Sequence, residues 1–247
     1  AGQIYNQNVN LTVAAGDTIN LNGYYSLINI RNVNGELGDT IYLRVLDFFR
    51  VGVNTSNGYG MLVEGRYWKF VGTDTNRCLI YNPTRIQTNN FIVGASKNYT
   101  IKNLKMRYAQ AALFGNPTTG GNMGSPLIEN VSISMTRRLD GVTAEGMYLG
   151  PTSNVDTSAV YWQNGIIRNC VLYDLAGDGI QVALWRNVTI ENCKIYNYGL
   201  DTLPNQRSGI IIGGSSSGTV RNCIVDGGTG YYFQTYGYGQ VTVQNCT

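Results

Sequence analysis

The sequence contains no histidine, and this absence removes several kinds of chemistry. Without an imidazole there is no Ser-His-Asp or Cys-His nucleophile, no histidine-ligated metal and no ordinary charge switch near neutral pH. Charged residues are also scarce, at 13% of the chain, with a formal net charge of +3 and no cluster of lysine and arginine. Proteins that bind nucleic acid usually carry such a cluster, so we do not expect nucleic acid as a partner.

Apolar runs long enough to cross a bilayer are missing as well, and the sequence therefore predicts no membrane span. The hydrophobic content of 43% still suffices for a long packed interior, and a length of 247 residues favours a single all-β domain. The chain begins at Ala1 without a basic and apolar leader, which fits a mature secreted protein and equally a trimmed fragment.

The five cysteines are an odd number without a C-x-x-C pair, which disfavours a zinc site and a disulfide framework. Their positions indicate an internal repeat, because four of them follow asparagines that lie 23, 30 and 23 residues apart. Two earlier copies, centred on Asn103 and Asn130, lack the cysteine. Repeats of this length are typical of a solenoid. The four pairs are Asn169-Cys170, Asn192-Cys193, Asn222-Cys223 and Asn245-Cys246.

Each copy alternates apolar and polar residues on both sides of the asparagine, which is the period of a β-strand. Asparagine suits a one-residue bend between two strands because it tolerates the left-handed backbone conformation. A third short strand follows after a variable loop, as at 146–149, 179–182 and 209–212. Three strands per turn predict a right-handed parallel β-helix with an outer asparagine ladder and an inner cysteine ladder, in which the thiols act as small apolar side chains.

The two ends of the solenoid are predicted from weaker patterns. Alternation is looser before residue 97, so we expect residues 28–71 to form the first rungs and residues 1–25 to cap the N-terminal end. The sequence stops one residue after Cys246, in the middle of a rung. We therefore expect further domains or a partner to cover the C-terminal end.

Several glycine-rich segments resemble the right-handed β-helix repeat proteins of the pectin-lyase-like superfamily. These segments are 15–19, 35–41, 145–150, 177–182 and 208–214. More narrowly, the chain resembles large secreted β-helix proteins of Bacteroidota that are often exported by the type 9 system, which implies a secreted or cell-surface protein. The resemblance implies no single activity, because the superfamily includes lyases, glycosidases, epimerases and adhesins. Its polygalacturonase-type hydrolases carry a catalytic histidine that this chain lacks.

In this superfamily the substrate groove usually follows the sheet built from the third strands. Alternation predicts that Tyr148, Gln181, Ile211 and Tyr232 point outward on that sheet, with Leu113 in the same column one rung earlier. Exposed aromatic rings pack well against the faces of sugar rings. We therefore expect the first four residues to bind substrate.

The loops that enter this sheet carry more charged residues than the loops that leave it. Glu145 and Asp178 take equivalent places on successive rungs, so their carboxyl groups could reach the separation used by glycosidases. Arg207 could act as the base of a lyase, and Asp174 with Asp178 could give oxygen ligands to Ca²⁺. The alternative is structural: acids at loop ends accept backbone N–H groups, and tyrosines cover a sheet face.

A second charged column lies beside the predicted asparagine ladder, and its signs alternate from rung to rung. Such an arrangement predicts cross-strand ion pairs with a structural role, because neighbouring charges neutralise each other. The members of this column are Lys102, Glu129, Arg168, Glu191 and Arg221.

These patterns together predict a secreted or surface-displayed β-helix that recognises extracellular polysaccharide, by binding rather than turnover. One alternative is a polysaccharide lyase or glycoside hydrolase of the same fold, with or without Ca²⁺. The other is a non-catalytic adhesin or structural stalk segment.

Overall fold

The computed structural model describes residues 13–52, 58–81, 89–117, 121–137, 144–150, 160–201, 204–237 and 240–247. Within these ranges the chain forms 24 β-strands and no helix, so they include no helix that could cross a membrane. The strands are β1 (Thr18–Tyr25), β2 (Ile28–Asn34), β3 (Ile41–Gly52), β4 (Tyr59–Arg66), β5 (Trp68–Val71), β6 (Cys78–Tyr81), β7 (Asn89–Ile92), β8 (Thr100–Arg107), β9 (Leu113–Gly115), β10 (Gly121–Asn122), β11 (Leu127–Ser134), β12 (Met147–Leu149), β13 (Val160–Gln163), β14 (Ile166–Arg168), β15 (Val171–Tyr173), β16 (Ile180–Ala183), β17 (Trp185–Arg186), β18 (Val188–Glu191), β19 (Lys194–Tyr196), β20 (Ser208–Gly213), β21 (Gly218–Arg221), β22 (Ile224–Asp226), β23 (Tyr231–Thr235) and β24 (Val241–Gln244).

The described strands stack into three sheets, and their pairings are parallel. The large sheet has thirteen strands and follows the order β1-β3-β5-β8-β11-β14-β18-β21-β24, with β6, β15, β19 and β22 beside this path. The second sheet has eight strands in the order β2-β4-β7-β9-β12-β16-β20-β23, and the small sheet consists of β10, β13 and β17. Each strand therefore pairs with its equivalent one turn earlier and later, which confirms the predicted parallel β-helix.

The asparagine bends lie where the repeat predicts them. The six repeat asparagines, from Asn103 to Asn245, have positive φ angles between 49° and 57°. They also contact one another along the axis, since Asn130 Nδ2 donates to Asn103 Oδ1 at 2.7 Å. A second asparagine ladder, which the sequence did not predict, turns another corner: Asn187 Nδ2 donates to Asn164 Oδ1 at 2.8 Å.

The cysteine ladder lies inside the solenoid. Cys170, Cys193 and Cys223 are at most 1% exposed and Cys246 is half-buried, and the five cysteines are free thiols. A hydrogen bond with Cys170 raises the pKa of Cys193, and burial raises it further. A buried thiol that stays protonated is a poor nucleophile and a poor metal ligand. The prediction that these residues serve as small apolar side chains is confirmed for the described core.

The predicted N-terminal cap is only partly described, because residues 1–12 lie outside the described ranges. Strand β1 pairs in parallel with β3, so residues 18–25 form part of the first described rung.

Candidate functional site

The second sheet is where the sequence predicted substrate-binding residues, and its register corrects two of the placements. Leu113 points into the core at 0% exposure, and Phe114 takes the outward place, stacked on Tyr148 with ring centroids 5.4 Å apart. Alternation could not assign the phase there because both residues are apolar. The observed outward column consists of Phe114, Tyr148, Gln181, Ile211 and Gln234.

Tyr232 is outside that column. Its neighbours Tyr231 and Phe233 pair with Ser208 and Ile210, so the residue opposite Ile211 is Gln234. The loops between strands differ in length from rung to rung, so the sequence alone did not reveal the offset. Tyr232 is nevertheless well exposed, at 57%.

The side chains of this outward column differ in how much of their surface is exposed to solvent. Gln181 is 4% exposed and Ile211 only 1%, although Ile211 does not belong to the main hydrophobic core. This burial disfavours direct contact between these two side chains and a ligand outside the solenoid, and their role in substrate binding stays a prediction. Tyr148 and Phe114 are half-buried and form a small aromatic surface beside them.

A polar column precedes the buried part of the second sheet. The Gly146 N–H donates to the Asp178 carbonyl at 2.8 Å, and the Gly179 N–H donates to the Ser208 carbonyl at 2.9 Å. Glu145, Asp178 and Ser208 therefore occupy equivalent places on successive rungs, as the sequence indicated for the two acids. All three are buried, at 1%, 0% and 1% exposure.

The carboxyl group of Asp178 belongs to a buried polar network. The Ser208 N–H donates to Asp178 Oδ1 at 2.6 Å, while Asp178 Oδ2 has no hydrogen-bond partner among the described residues. Burial raises the pKa of Asp178 to about 7, although the Ser208 hydrogen bond opposes the shift. The network continues outward, because Ser208 Oγ contacts Gln234 Oε1 at 2.6 Å and Gln234 Nε2 donates to Tyr236 Oη at 2.6 Å.

No described contact joins either of the two remaining predicted residues to the Asp178 carboxyl. Arg207 directly precedes Ser208 and is half-buried, and none of its described contacts joins its guanidinium to Asp178. Asp174 lies in a bend at φ 56°, where its Oδ1 accepts a hydrogen bond from Asn197 Nδ2 at 3.0 Å. The described residues contain no group of three His, Cys, Asp or Glu side chains that could hold a metal.

An open polar groove lies elsewhere, at the corner where the chain passes from the second sheet to the large sheet. Tyr67 and Asn98 turn the backbone with φ angles of 50° and 49°. Arg66 and Lys97 pair through their backbones on successive rungs, so their side chains leave the same edge of the corner. Two adjoining clefts of ≈ 260 Å³ and ≈ 430 Å³ share these two residues. We call the larger cleft the corner groove, lined by Arg66, Tyr67, Lys97, Asn98, Asn122, Gly124, Ser125 and Gln163.

The walls of the corner groove are rich in amide groups. Asn122 Nδ2 donates to Gln163 Oε1 at 3.3 Å, and Asn98 Oδ1 accepts from the Ser125 N–H at 2.9 Å. Gly124 permits this close approach, since a Cβ there would lie 2.0 Å from Asn98 Oδ1. The lining of the groove thus combines amide, hydroxyl, guanidinium and ammonium groups from four successive rungs.

Sequence reasoning missed this groove because its residues share no motif. Arg66 and Lys97 are separated by a full turn of chain in the region where the repeat is loosest. Asn98 is a residue type that favours a left-handed bend, but Tyr67, which turns the corner one rung earlier, is not.

Comparison with known proteins gives a family match and one structural likeness. The family model described as "Right handed beta helix region" matches residues 4–247. No curated protein sequence matches. Among solved structures, the chain is similar to an alginate lyase from Paenibacillus sp. strain FPU-7, with 12% identity and a TM-score of 0.33 over 92% of this chain and 93% of the other.

Proposed function

This chain belongs to the right-handed β-helix family, and on that premise we propose that it binds extracellular polysaccharide in the corner groove without cleaving it. The observation that carries the proposal is the open polar lining of the groove across successive rungs. Rungs repeat about every 4.8 Å, so a polymer laid along the groove meets hydrogen-bonding groups at regular intervals.

The chemistry of the lining suits sugar hydroxyls. The amides of Asn122 and Gln163 each offer both donors and acceptors, and the hydroxyl of Ser125 can do either. Tyr67 adds an aromatic ring, whose face suits the C–H groups of a pyranose. Arg66 and Lys97 add charge-assisted donors at one edge.

Burial of the two acids supports binding over turnover. Glycosidase carboxyls must contact the scissile bond or an attacking water, whereas Glu145 and Asp178 are 1% and 0% exposed. The raised pKa of Asp178 follows from that burial. It is therefore explained without a catalytic role.

Binding can be tested by affinity gel electrophoresis and calorimetry against a panel of neutral and acidic polysaccharides. We expect the variant Arg66→Gln/Lys97→Gln to bind at least about tenfold more weakly, since a hydrogen bond to a charged group contributes about 1.5–3 kcal/mol. Asn122→Ala/Gln163→Ala should weaken binding by a smaller factor. Lys69→Gln, on the sheet face outside the groove, is the matched control. Equal affinities for wild type and both groove variants would exclude the groove as the binding site.

Turnover is tested on the same panel by following reducing ends and the absorbance of unsaturated products. We expect neither signal to rise above a no-protein control. Release of product that disappears in Glu145→Gln or Asp178→Asn would replace the binding proposal by the lyase or hydrolase alternative. Failure to bind any polysaccharide would leave the stalk or adhesin alternative.

The proposed ligand places the protein outside the cell, on the surface or in the medium. Export by the type 9 system of a Bacteroidota species is part of this proposal and is supported by the sequence resemblance alone. Fractionation of the native host into cytosol, envelope and medium tests it, and a cytosolic protein would contradict it.

A further inference from the structure

The outer face of the large sheet consists of two strips that the asparagine bend divides, and their charges are arranged differently. On the strip before the bend, cations and carboxylates alternate as predicted. Lys102 Nζ and Arg168 Nη2 lie 2.5 Å and 2.9 Å from the carboxylate of Glu129, and Arg221 Nη2 lies 2.6 Å from that of Glu191. From β8 to β21 the charges on this strip therefore form ion pairs with one another.

On the strip after the bend, the cations Lys105, Arg107 and Lys194 each pair with uncharged residues. A carboxylate, Asp226, lies further along the column of Arg107, where it pairs with Tyr196. Lys105 stands between Leu79 and Ser132. Arg107 stands between Tyr81 and Ser134. Lys194, three rungs further along, stands between Val171 and Ile224. The cross-strand neutralisation seen on the first strip is therefore missing here.

Tyrosine rings lie among these cations. Tyr173 and Tyr196 are direct neighbours on successive rungs, and Arg107 Nη2 donates to Tyr173 Oη at 3.3 Å. The nearby Ser134 hydroxyl lowers the pKa of Tyr173, and the hydrogen bond and charge of Arg107 and the charge of Lys105 lower it further, while burial opposes the shift. The charges of Arg107 and Lys105 thus both act on the Tyr173 hydroxyl. We call this set the basic strip: Tyr81, Lys105, Arg107, Tyr173, Lys194 and Tyr196.

We propose that the basic strip is a second binding surface, which takes a polysaccharide bearing carboxylate or sulfate groups. Lys105 and Arg107 leave the same face of β8 about 7 Å apart, and the rungs add ring faces about 4.8 Å apart. The cations pair with the acidic groups, and the half-buried tyrosine rings pack against the sugar rings. This surface is separate from the corner groove and does not depend on the function proposed for it.

Charge and shape together favour a glycan over other anionic partners. A peptide would form no backbone ladder there, because the strands of the strip already pair with one another on both sides. Nucleic acid is disfavoured because its binding rests on many phosphate contacts, whereas the strip offers three cations. An acidic polysaccharide needs only spaced charges and ring faces.

The test is calorimetry with alginate, dextran sulfate, neutral dextran and poly-glutamate as probes. We expect alginate or dextran sulfate to bind, neutral dextran not to bind at this surface, and Lys105→Gln/Arg107→Gln to weaken acidic-glycan binding at least tenfold. Lys69→Gln is the matched control on the other strip, and Arg66→Gln/Lys97→Gln separates the groove from the strip. Circular dichroism and the melting temperature of each variant establish that it folds.

A second pair of variants tests the role of the rings. Tyr173→Ala/Tyr196→Ala should weaken binding several-fold, and Tyr173→Phe, which keeps the ring, should bind nearly as well as wild type. Unchanged affinity in Lys105→Gln/Arg107→Gln would overturn the proposal. Poly-glutamate binding as tightly as alginate, or tyrosine variants that bind normally, would show recognition of charge alone and would overturn the glycan assignment.

Discussion

Asp178 shows how one residue can couple this fold to pH. Its carboxyl is removed from water and receives a single backbone donor, at 2.6 Å. One hydrogen bond does not replace the hydration of a carboxylate, so burial raises the pKa to about 7, against about 3.9 in an unfolded chain. Between these two values the folded protein binds more protons than the unfolded chain. Its stability therefore falls as the pH rises through this window.

We expect the free energy of unfolding to decrease by roughly 1 kcal/mol per pH unit between about pH 5 and pH 7. Asp178→Asn removes the charge and keeps an oxygen for the Ser208 N–H, so it should flatten this dependence and be more stable than wild type near pH 8. Urea unfolding across this pH range measures both effects, with the exposed Glu36→Gln as control. If Asp178→Asn leaves the pH dependence of the free energy of unfolding unchanged, Asp178 ionises in the folded state without an energetic penalty.

At the scale of elements, three glycines determine how closely the second sheet approaches the large sheet. A Cβ on Gly179 would lie 2.3 Å from the Gly209 carbonyl oxygen and 2.7 Å from Ile195 Cγ2. Gly146 and Gly209 are similarly crowded, by Leu172 and Val225. The glycines thus let the chain pass over the inner side chains of the large sheet and carry Glu145, Asp178 and Ser208 into their buried places.

Gly179→Ala should therefore destabilise the protein by at least about 2 kcal/mol, because overpacking costs 1–3 kcal/mol and the clashing atom is a backbone oxygen fixed by the next rung. Gly52→Ala is the matched control, since a Cβ there would have only one neighbour, the Tyr25 carbonyl oxygen at 4.0 Å. Thermal unfolding followed by circular dichroism compares the two. Equal melting temperatures for the Gly179→Ala and Gly52→Ala variants would show that the neighbouring rungs shift to accommodate the added methyl group at little energetic cost.

The sequence predicted the features of the fold that adjacent residues encode and missed those that depend on the stacking of distant rungs. The Asn-Cys frame placed the bends and the inward cysteines of the large sheet correctly, because each pair encodes a left-handed backbone and a small buried side chain. The second sheet follows loops of variable length, so its strands were found but Leu113 and Tyr232 were misplaced. The corner groove was missed because Arg66 and Lys97 meet only through the stacking of rungs.

At the scale of the whole molecule, stacking turns a weakly charged chain into two distinct cationic surfaces. The formal net charge is only +3, yet the register neutralises one strip of the large sheet and leaves Lys105 and Arg107 facing uncharged neighbours on the other. The corner groove lies where successive rungs enter the large sheet, ahead of the bend on each rung. The alternating strip, with the Lys102–Glu129 pair, therefore separates the two proposed binding surfaces.

This separation predicts that the two surfaces act independently on short acidic oligosaccharides. Arg66→Gln/Lys97→Gln should leave the affinity of the strip within about 0.3–0.5 kcal/mol of wild type, and Lys105→Gln/Arg107→Gln should leave that of the groove equally unchanged, as expected for sites without shared partners. A long polymer that reaches both surfaces gains effective concentration at the second. Loss of either surface should therefore weaken polymer binding by a larger factor than oligosaccharide binding. Calorimetry on an oligosaccharide and its parent polymer measures both, and a groove variant that weakens oligosaccharide binding at the strip would mean that groove and strip form one continuous site.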